Sequence, residues 1–93
     1  MFAGRVIQVG EAVTRYAEGD DVFGAVDHGA YAQQLVVSED GVLAQMPDHT
    51  TYAEAAAVPY GAGTALHFLQ DMAQVKPGQT VLILGASGGV GRF

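Results

Sequence analysis

The sequence contains no cysteine and no tryptophan, three prolines, and four basic residues against ten acidic ones. Each shortage removes a class of function. Without cysteine there is no disulfide framework, no thiolate metal site and no thiol nucleophile, and such usage suits a reducing compartment. The basic residues Arg5, Arg15, Lys76 and Arg92 are scattered along a chain of net charge −6, so nucleic acid meets no basic footprint. No apolar run approaches the roughly 20 residues of a membrane span, and the first residues lack the basic-then-apolar order of a secretory signal. These absences predict a soluble, cytoplasmic protein with neither a membrane nor a nucleic-acid partner. What remains suffices for one thin core: 93 residues, 49% hydrophobic and 15% charged, is a globular composition.

Along the chain two unequal parts emerge. From Gly4 to about Met46 the pattern favours strands and turns: Arg5-Val6-Ile7-Gln8-Val9 alternates, and Asp21 to Val26 and Tyr31 to Val37 follow, punctuated by Gly-Asp and His-Gly. This predicts a small antiparallel β unit. Pro47-Asp48 breaks the pattern, and Thr51-Tyr52-Ala53-Glu54 has the spacing of a capping box, so a helix should start at Thr51. Pro59 should end that helix and open a second, running to about Ala73, with Ala62, Ala65, Leu66, Leu69 and Met72 as its buried face. Val75 to Gln79 is a turn-rich connector. Thr80-Val81-Leu82-Ile83-Leu84 has no polar alternation, as in a strand buried on both faces of a parallel sheet.

Directly after that run comes Gly85-Ala86-Ser87-Gly88-Gly89-Val90-Gly91. The order strand, glycines, helix gives such a stretch meaning: a turn without β-carbons lets the backbone approach a pyrophosphate, whose charge the opening N–H groups of a helix receive. Against G-x-G-x-x-G the matching positions are Ala86, Gly88 and Gly91, with alanine in the first glycine's place. A glycine-rich turn made only for tight packing is the competing reading. Asp20-Asp21 and Glu39-Asp40 are adjacent acids in turns without a partner base, and they read as solvated rather than catalytic.

Gly4 to Gly10 with Val13, Gly19-Asp20-Asp21-Val22-Phe23-Gly24, Gly29-Ala30-Tyr31-Ala32, Met46-Pro47-Asp48, Ala55 to Pro59, Gly63-Thr64-Ala65, Lys76-Pro77-Gly78 and Gly85 to Gly91 fall in one order. That order resembles the middle of a medium-chain dehydrogenase/reductase, in its quinone-oxidoreductase-like, zinc-independent branch. The resemblance implies an α/β fold overall, part of a GroES-like β-barrel followed by the first strand and glycine-rich turn of a Rossmann domain. It divides the chain into residues 1–50 from the catalytic barrel, 51–78 as linking helices and 79–93 as the start of the nucleotide-binding domain. It implies NADPH as cofactor, with NADH not excluded, and a small carbonyl or quinone as substrate.

Carried over by position, Ser87, Gly88, Gly89, Val90 and Gly91 match the family's pyrophosphate loop, and Thr64 matches the threonine beside the nicotinamide ring. Thr64 has a second reading, as a helical threonine bonding a neighbouring carbonyl. Tyr60 either lines the same pocket or covers a helix end as a packing aromatic. No catalytic side chain is assigned. Zinc-dependent members carry a four-cysteine lobe where this chain has Ala25-Val26-Asp27-His28, and a cysteine ligand where it has Ala55-Ala56-Ala57, so no metal is expected. His28, His49 and His67 lack ligand spacing and read as solvated or hydrogen-bonded.

The function implied is hydride transfer from NADPH to a quinone, enone or similar carbonyl in a longer parent. Alternatives are a zinc-less alcohol dehydrogenase, an enoyl reductase, or a non-catalytic GroES-like module that binds through Val81 to Leu84. Only Arg92 and Phe93 follow the last glycine. The chain thus reads as an internal fragment, expected to bind dinucleotide poorly and to be inactive alone, with any homo-oligomer belonging to the parent.

Overall fold

A computed structural model describes every residue, Met1–Phe93, as two units, Met1–Ala57 and Val58–Phe93. In the first unit, β1 (Phe2–Arg5), β2 (Asp21–Ala25) and β3 (Val42–Gln45) form an antiparallel sheet in the order β1-β2-β3. Phe2 stands opposite Gly24 and Arg5 opposite Asp21, while Val22 faces Gln45 and Ala25 faces Val42. The period-2 pleat turns Val22 and Gly24 to the buried side, and Asp21, Phe23 and Ala25 stay half-buried. Gly24 lacks a side chain for a steric reason: a β-carbon there would overlap the Val42 carbonyl oxygen and lie 2.9 Å from Leu43 Cα.

Beyond β1 the ladder continues irregularly, with Val6 N–H donating to the Asp20 carbonyl and Gly19 N–H to the Val6 carbonyl, both at 2.8 Å. The intervening loop is tied down by polar contacts. Glu39 Oε2 accepts from the N–H groups of Thr14 (3.1 Å) and Arg15 (3.0 Å), Arg15 pairs with Asp40, and the Tyr16 hydroxyl donates to the Leu43 carbonyl at 3.0 Å. The two acids read as merely solvated in the sequence therefore hold a loop in place.

The capping box forms. Glu54 N–H donates to Thr51 Oγ1 (3.2 Å), and Glu54 Oε2 accepts from Thr51 N–H (2.9 Å). That opens α1, Tyr52–Leu66, which passes without a break through Pro59 and continues as a π-helical segment, His67–Met72. The predicted division at Pro59 does not occur. Proline removes one backbone hydrogen bond, toward the Ala55 carbonyl, yet the capped turn before it and the helix-forming residues after it carry α1 through. The segment ends on an i to i+5 bond from Ala73 N–H to the Phe68 carbonyl, 2.8 Å.

Two further predictions need correction. Tyr31 to Val37 is irregular, and Thr80 to Leu84 forms no strand: Leu82 is 84% and Leu84 87% exposed. A strand is stable only against a hydrogen-bonding neighbour, and neither run finds one in this chain. The apolar face of the helix likewise stays largely open, with Leu66, Leu69 and Met72 exposed. The connector matches its prediction, turning at Gly78 (φ 85°) with a bond from Gln79 N–H to the Lys76 carbonyl at 3.2 Å. No helix is long and apolar enough to cross a membrane.

Candidate functional site

The glycine stretch folds as consecutive tight turns in the second unit. Gly85 has φ 74°, a conformation that favours glycine, and its carbonyl accepts the Gly88 N–H at 2.9 Å. The chain then begins to coil: Arg92 N–H donates to the Gly88 carbonyl (3.3 Å) and Phe93 N–H to the Val90 carbonyl (3.1 Å). A β-carbon on Gly91 would overlap the Gly85 carbonyl oxygen and sit 2.9 Å from Ala86 Cα, so this turn closes only around glycine. Arg92 reaches back and donates from Nη2 to the Ser87 carbonyl at 3.0 Å, which turns a cation toward the loop.

Between these bonds lies a set of unused donors. The N–H groups of Ser87, Gly89, Val90 and Gly91 have no hydrogen-bond acceptor in the chain, whereas their neighbours Gly88 and Arg92 are paired. Closely spaced free amides without side-chain bulk form a receptor for an anion. Phosphate oxygens fit them by charge and by donor count.

The loop is seated on α1. Gly61 is buried, and a β-carbon there would overlap the Gly89 carbonyl oxygen and lie 2.6 Å from the Phe93 ring. Sequence reasoning passed over Gly61, although a signal was present: Gly61-Ala62-Gly63 inside a helix carries a propensity cost that only close packing justifies. Of the remaining predicted site residues, Thr64 lies one turn beyond Gly61 and is half-buried, while Tyr60 is 67% exposed. Neither makes a side-chain hydrogen bond. The exposure of Tyr60 does not fit a packing aromatic and leaves its hydroxyl free. Ser87, Gly88 and Gly89 are exposed, and Val90 and Gly91 are half-buried.

Two polar clusters appear that local sequence patterns did not announce. In the first unit Arg5 binds Asp21 through Nε (2.9 Å) and Nη2 (3.1 Å), and the Tyr52 hydroxyl donates to Asp21 Oδ1 at 2.6 Å. The Arg5 guanidinium, and then the Tyr52 hydroxyl, hold the Asp21 carboxyl down at about 2, and the same bonds push Arg5 and Tyr52 above their ordinary values. In the second unit His67 Nδ1 lies 3.0 Å from Asp71 Oδ2.

The first unit also has an open concavity of about 320 Å³ bounded by Asp20, Asp21, Gln45, Met46, Asp48 and His49. Three carboxylates at its rim repel phosphate, so this concavity does not suit an anionic ligand. No group of three or more His, Asp or Glu residues is arranged to hold a metal ion.

No family model matches the chain. It is 45% identical over 89 residues, 96% of its length, to the pikromycin polyketide synthase component PikAII of Streptomyces venezuelae, and 36% identical over 90 residues to quinone oxidoreductase-like protein 2 of Bos taurus. It spans 2% of the first relative and 26% of the second. Among solved structures it matches the CurK enoyl reductase with a TM-score of 0.87 and 36% identity, over 97% of this chain and 27% of that one.

Proposed function

Since this chain belongs to the medium-chain dehydrogenase/reductase superfamily, we propose that it supplies the dinucleotide-anchoring segment of an NAD(P)H-dependent enoyl reductase, with NADPH as the preferred cofactor. The observation that carries this is the glycine loop. Four unpaired amides, a turned-in Arg92 and a tight seat on Gly61 together make an anion receptor. The residues 1–50 are read as the adjoining part of a GroES-like barrel, the residues 79–93 as the opening of a Rossmann domain, and the reaction as independent of zinc.

Bound there, the nicotinamide cofactor supplies a hydride. The chain's own residues do the rest. The amides of Ser87, Gly89, Val90 and Gly91 take the pyrophosphate, and Arg92 adds positive charge while bracing the Ser87 carbonyl. Gly61 lets the loop come down onto the helix that carries Thr64, which borders the nicotinamide, with Tyr60 at the mouth of the site. Fixing the cofactor in this way removes much of the orientational barrier to hydride transfer, which asks for no covalent catalyst.

An enoyl thioester is the substrate favoured over a quinone. The identity to a polyketide synthase component, 45%, exceeds that to the quinone oxidoreductase-like relative, 36%, and the solved structure matched is an enoyl reductase. A segment exchange tests the reading: residues 58–93 replace the corresponding stretch of the CurK enoyl reductase. The chimera should bind NADPH and reduce a crotonyl thioester with a KM for NADPH within about tenfold of the parent, a spread of about 1.4 kcal/mol. A soluble, folded chimera without NADPH binding would refute the proposal, and turnover of quinone in preference to thioester would redirect it to the quinone reductases.

A further inference from the structure

Reduction of an enoyl group needs a proton as well as a hydride, and nothing in the glycine loop provides one. The second unit contains one histidine, His67, and histidine is the side-chain type whose ordinary titration lies nearest neutrality. Its placement is specific. Tyr60, Thr64, His67 and Asp71 are spaced four, three and four residues apart, so they share one stripe along α1 and the π-helical segment that follows it. The apolar residues Ala62, Ala65 and Leu69 lie away from that stripe. His67 is about 4.5 Å along the helix from Thr64 at the ordinary rise per residue. It stands in a π-helical segment, a deformation that frequently marks functional positions.

The ring is also held. Asp71 takes the Nδ1 side at 3.0 Å, and the Phe68 ring meets the imidazole edge-on with centroids 5.8 Å apart. Nε2 is left unpaired, and the side chain is 59% exposed. No other strand or helix packs against this segment, and Asp71 is the charged group that His67 pairs with. A carboxylate on Nδ1 with Nε2 free is the arrangement in which an imidazole exchanges a proton through Nε2 while its orientation is fixed.

We infer that His67 is the proton donor of the reduction, with Asp71 as its positioning residue; the inference rests on the enoyl reductase reading above. The step balances as follows. A reduced nicotinamide held by the glycine loop would supply the hydride, with its two electrons, to the β-carbon of the enoyl group and would itself be oxidised. The C=C π bond breaks toward the α-carbon, giving an enolate, and Nε2 of protonated His67 delivers its proton there, leaving a neutral imidazole that keeps its Nδ1 proton toward Asp71. Water restores the proton on Nε2.

The test takes the chimera described above as wild type and compares it with His67→Asn, Asp71→Asn and, as a control away from this stripe, Lys76→Gln, with three readouts. NADPH binding is followed by fluorescence, crotonyl-thioester reduction by NADPH absorbance, and the imidazole tautomer by nitrogen-15 NMR without cofactor. His67→Asn should lower kcat by about 10²- to 10⁴-fold with the NADPH Kd unchanged, and added imidazole should restore part of the rate. Neutral His67 should carry its proton on Nδ1 in wild type, where the carboxylate can only accept, and should lose that preference in Asp71→Asn, whose amide can turn either its oxygen or its NH2 group to the ring. A kcat within about twofold of wild type in His67→Asn, or a loss that imidazole does not restore, would overturn the assignment while leaving the reductase reading intact. An unsubstituted chimera that folds but neither binds NADPH nor reduces the thioester would overturn both.

Discussion

Replacing Gly61 with alanine sets two effects of opposite sign against each other. Alanine in a helix interior is favoured over glycine by about 1 kcal/mol, so propensity alone predicts a more stable protein. The new methyl group would overlap the Gly89 carbonyl oxygen, a backbone atom that cannot swing aside, and would sit 2.6 Å from the Phe93 ring. Relieving such overpacking costs about 1–3 kcal/mol. The net expectation is a loss of about 0–2 kcal/mol, taken up by lifting the loop away from α1. The larger consequence falls on binding. Misaligning one charge-assisted amide contact forfeits about 1.5–3 kcal/mol, which raises the NADPH Kd by about 10- to 150-fold. Gly63→Ala provides the internal comparison, because nothing lies within 4 Å of a β-carbon there. It should stabilise by about 1 kcal/mol and leave the Kd unchanged. Thermal melts followed by circular dichroism on the chain, together with a fluorescence titration of NADPH on the chimera described above, measure the two quantities. If the two variants gain stability equally and bind equally well, the loop is not seated on Gly61 and the site as built here is wrong.

Other predictions follow from the same contacts. Gly91→Ala, whose methyl would meet the Gly85 carbonyl, should abolish NADPH binding in that titration while leaving the acid-unfolding behaviour of the sheet unaltered. Thr51→Ala removes the helix cap and should lower stability by about 1 kcal/mol in urea unfolding. The sheet should weaken on acidification. Asp21 is held at about 2 in the folded protein, below its ordinary 3.8, so its contribution is complete above 3.8 and disappears as the pH falls toward 2. Glu39, held low by the Arg15 and Thr14 amides, and Glu54, held low by Thr51, act in the same direction. An acid titration by circular dichroism should show this decline, and Asp21→Asn should flatten it.

Local chemistry was readable from the residues alone, and distant pairing was not. Thr51 and Glu54 announced their cap because the two groups meet within one turn. Gly85, Gly88 and Gly91 announced their loop because turns are closed by neighbours. Asp21 looked like a solvated turn acid because its partners, Arg5 and Tyr52, lie 16 and 31 residues away. The loop-holding bonds of Glu39 were hidden for the same reason, its amide donors being 25 and 24 residues distant. The runs Tyr31 to Val37 and Thr80 to Leu84 erred in the other direction: composition suggested strands, but pairing is a property of two segments. Pro59 was overweighted, since one lost hydrogen bond inside a capped helix is a smaller cost than nucleating a new one.

The receptor at Ser87, Gly89, Val90 and Gly91 is made of main-chain groups, and this determines how it responds to mutation. An alanine scan leaves each N–H where it was at Ser87 and Val90, and so would pass over half of the site as inert. Variation there can therefore accumulate freely without touching the phosphate recognition proposed for the loop. Only a change in the chain itself reaches those donors, such as volume forced onto a glycine, a proline, or an ester in place of an amide.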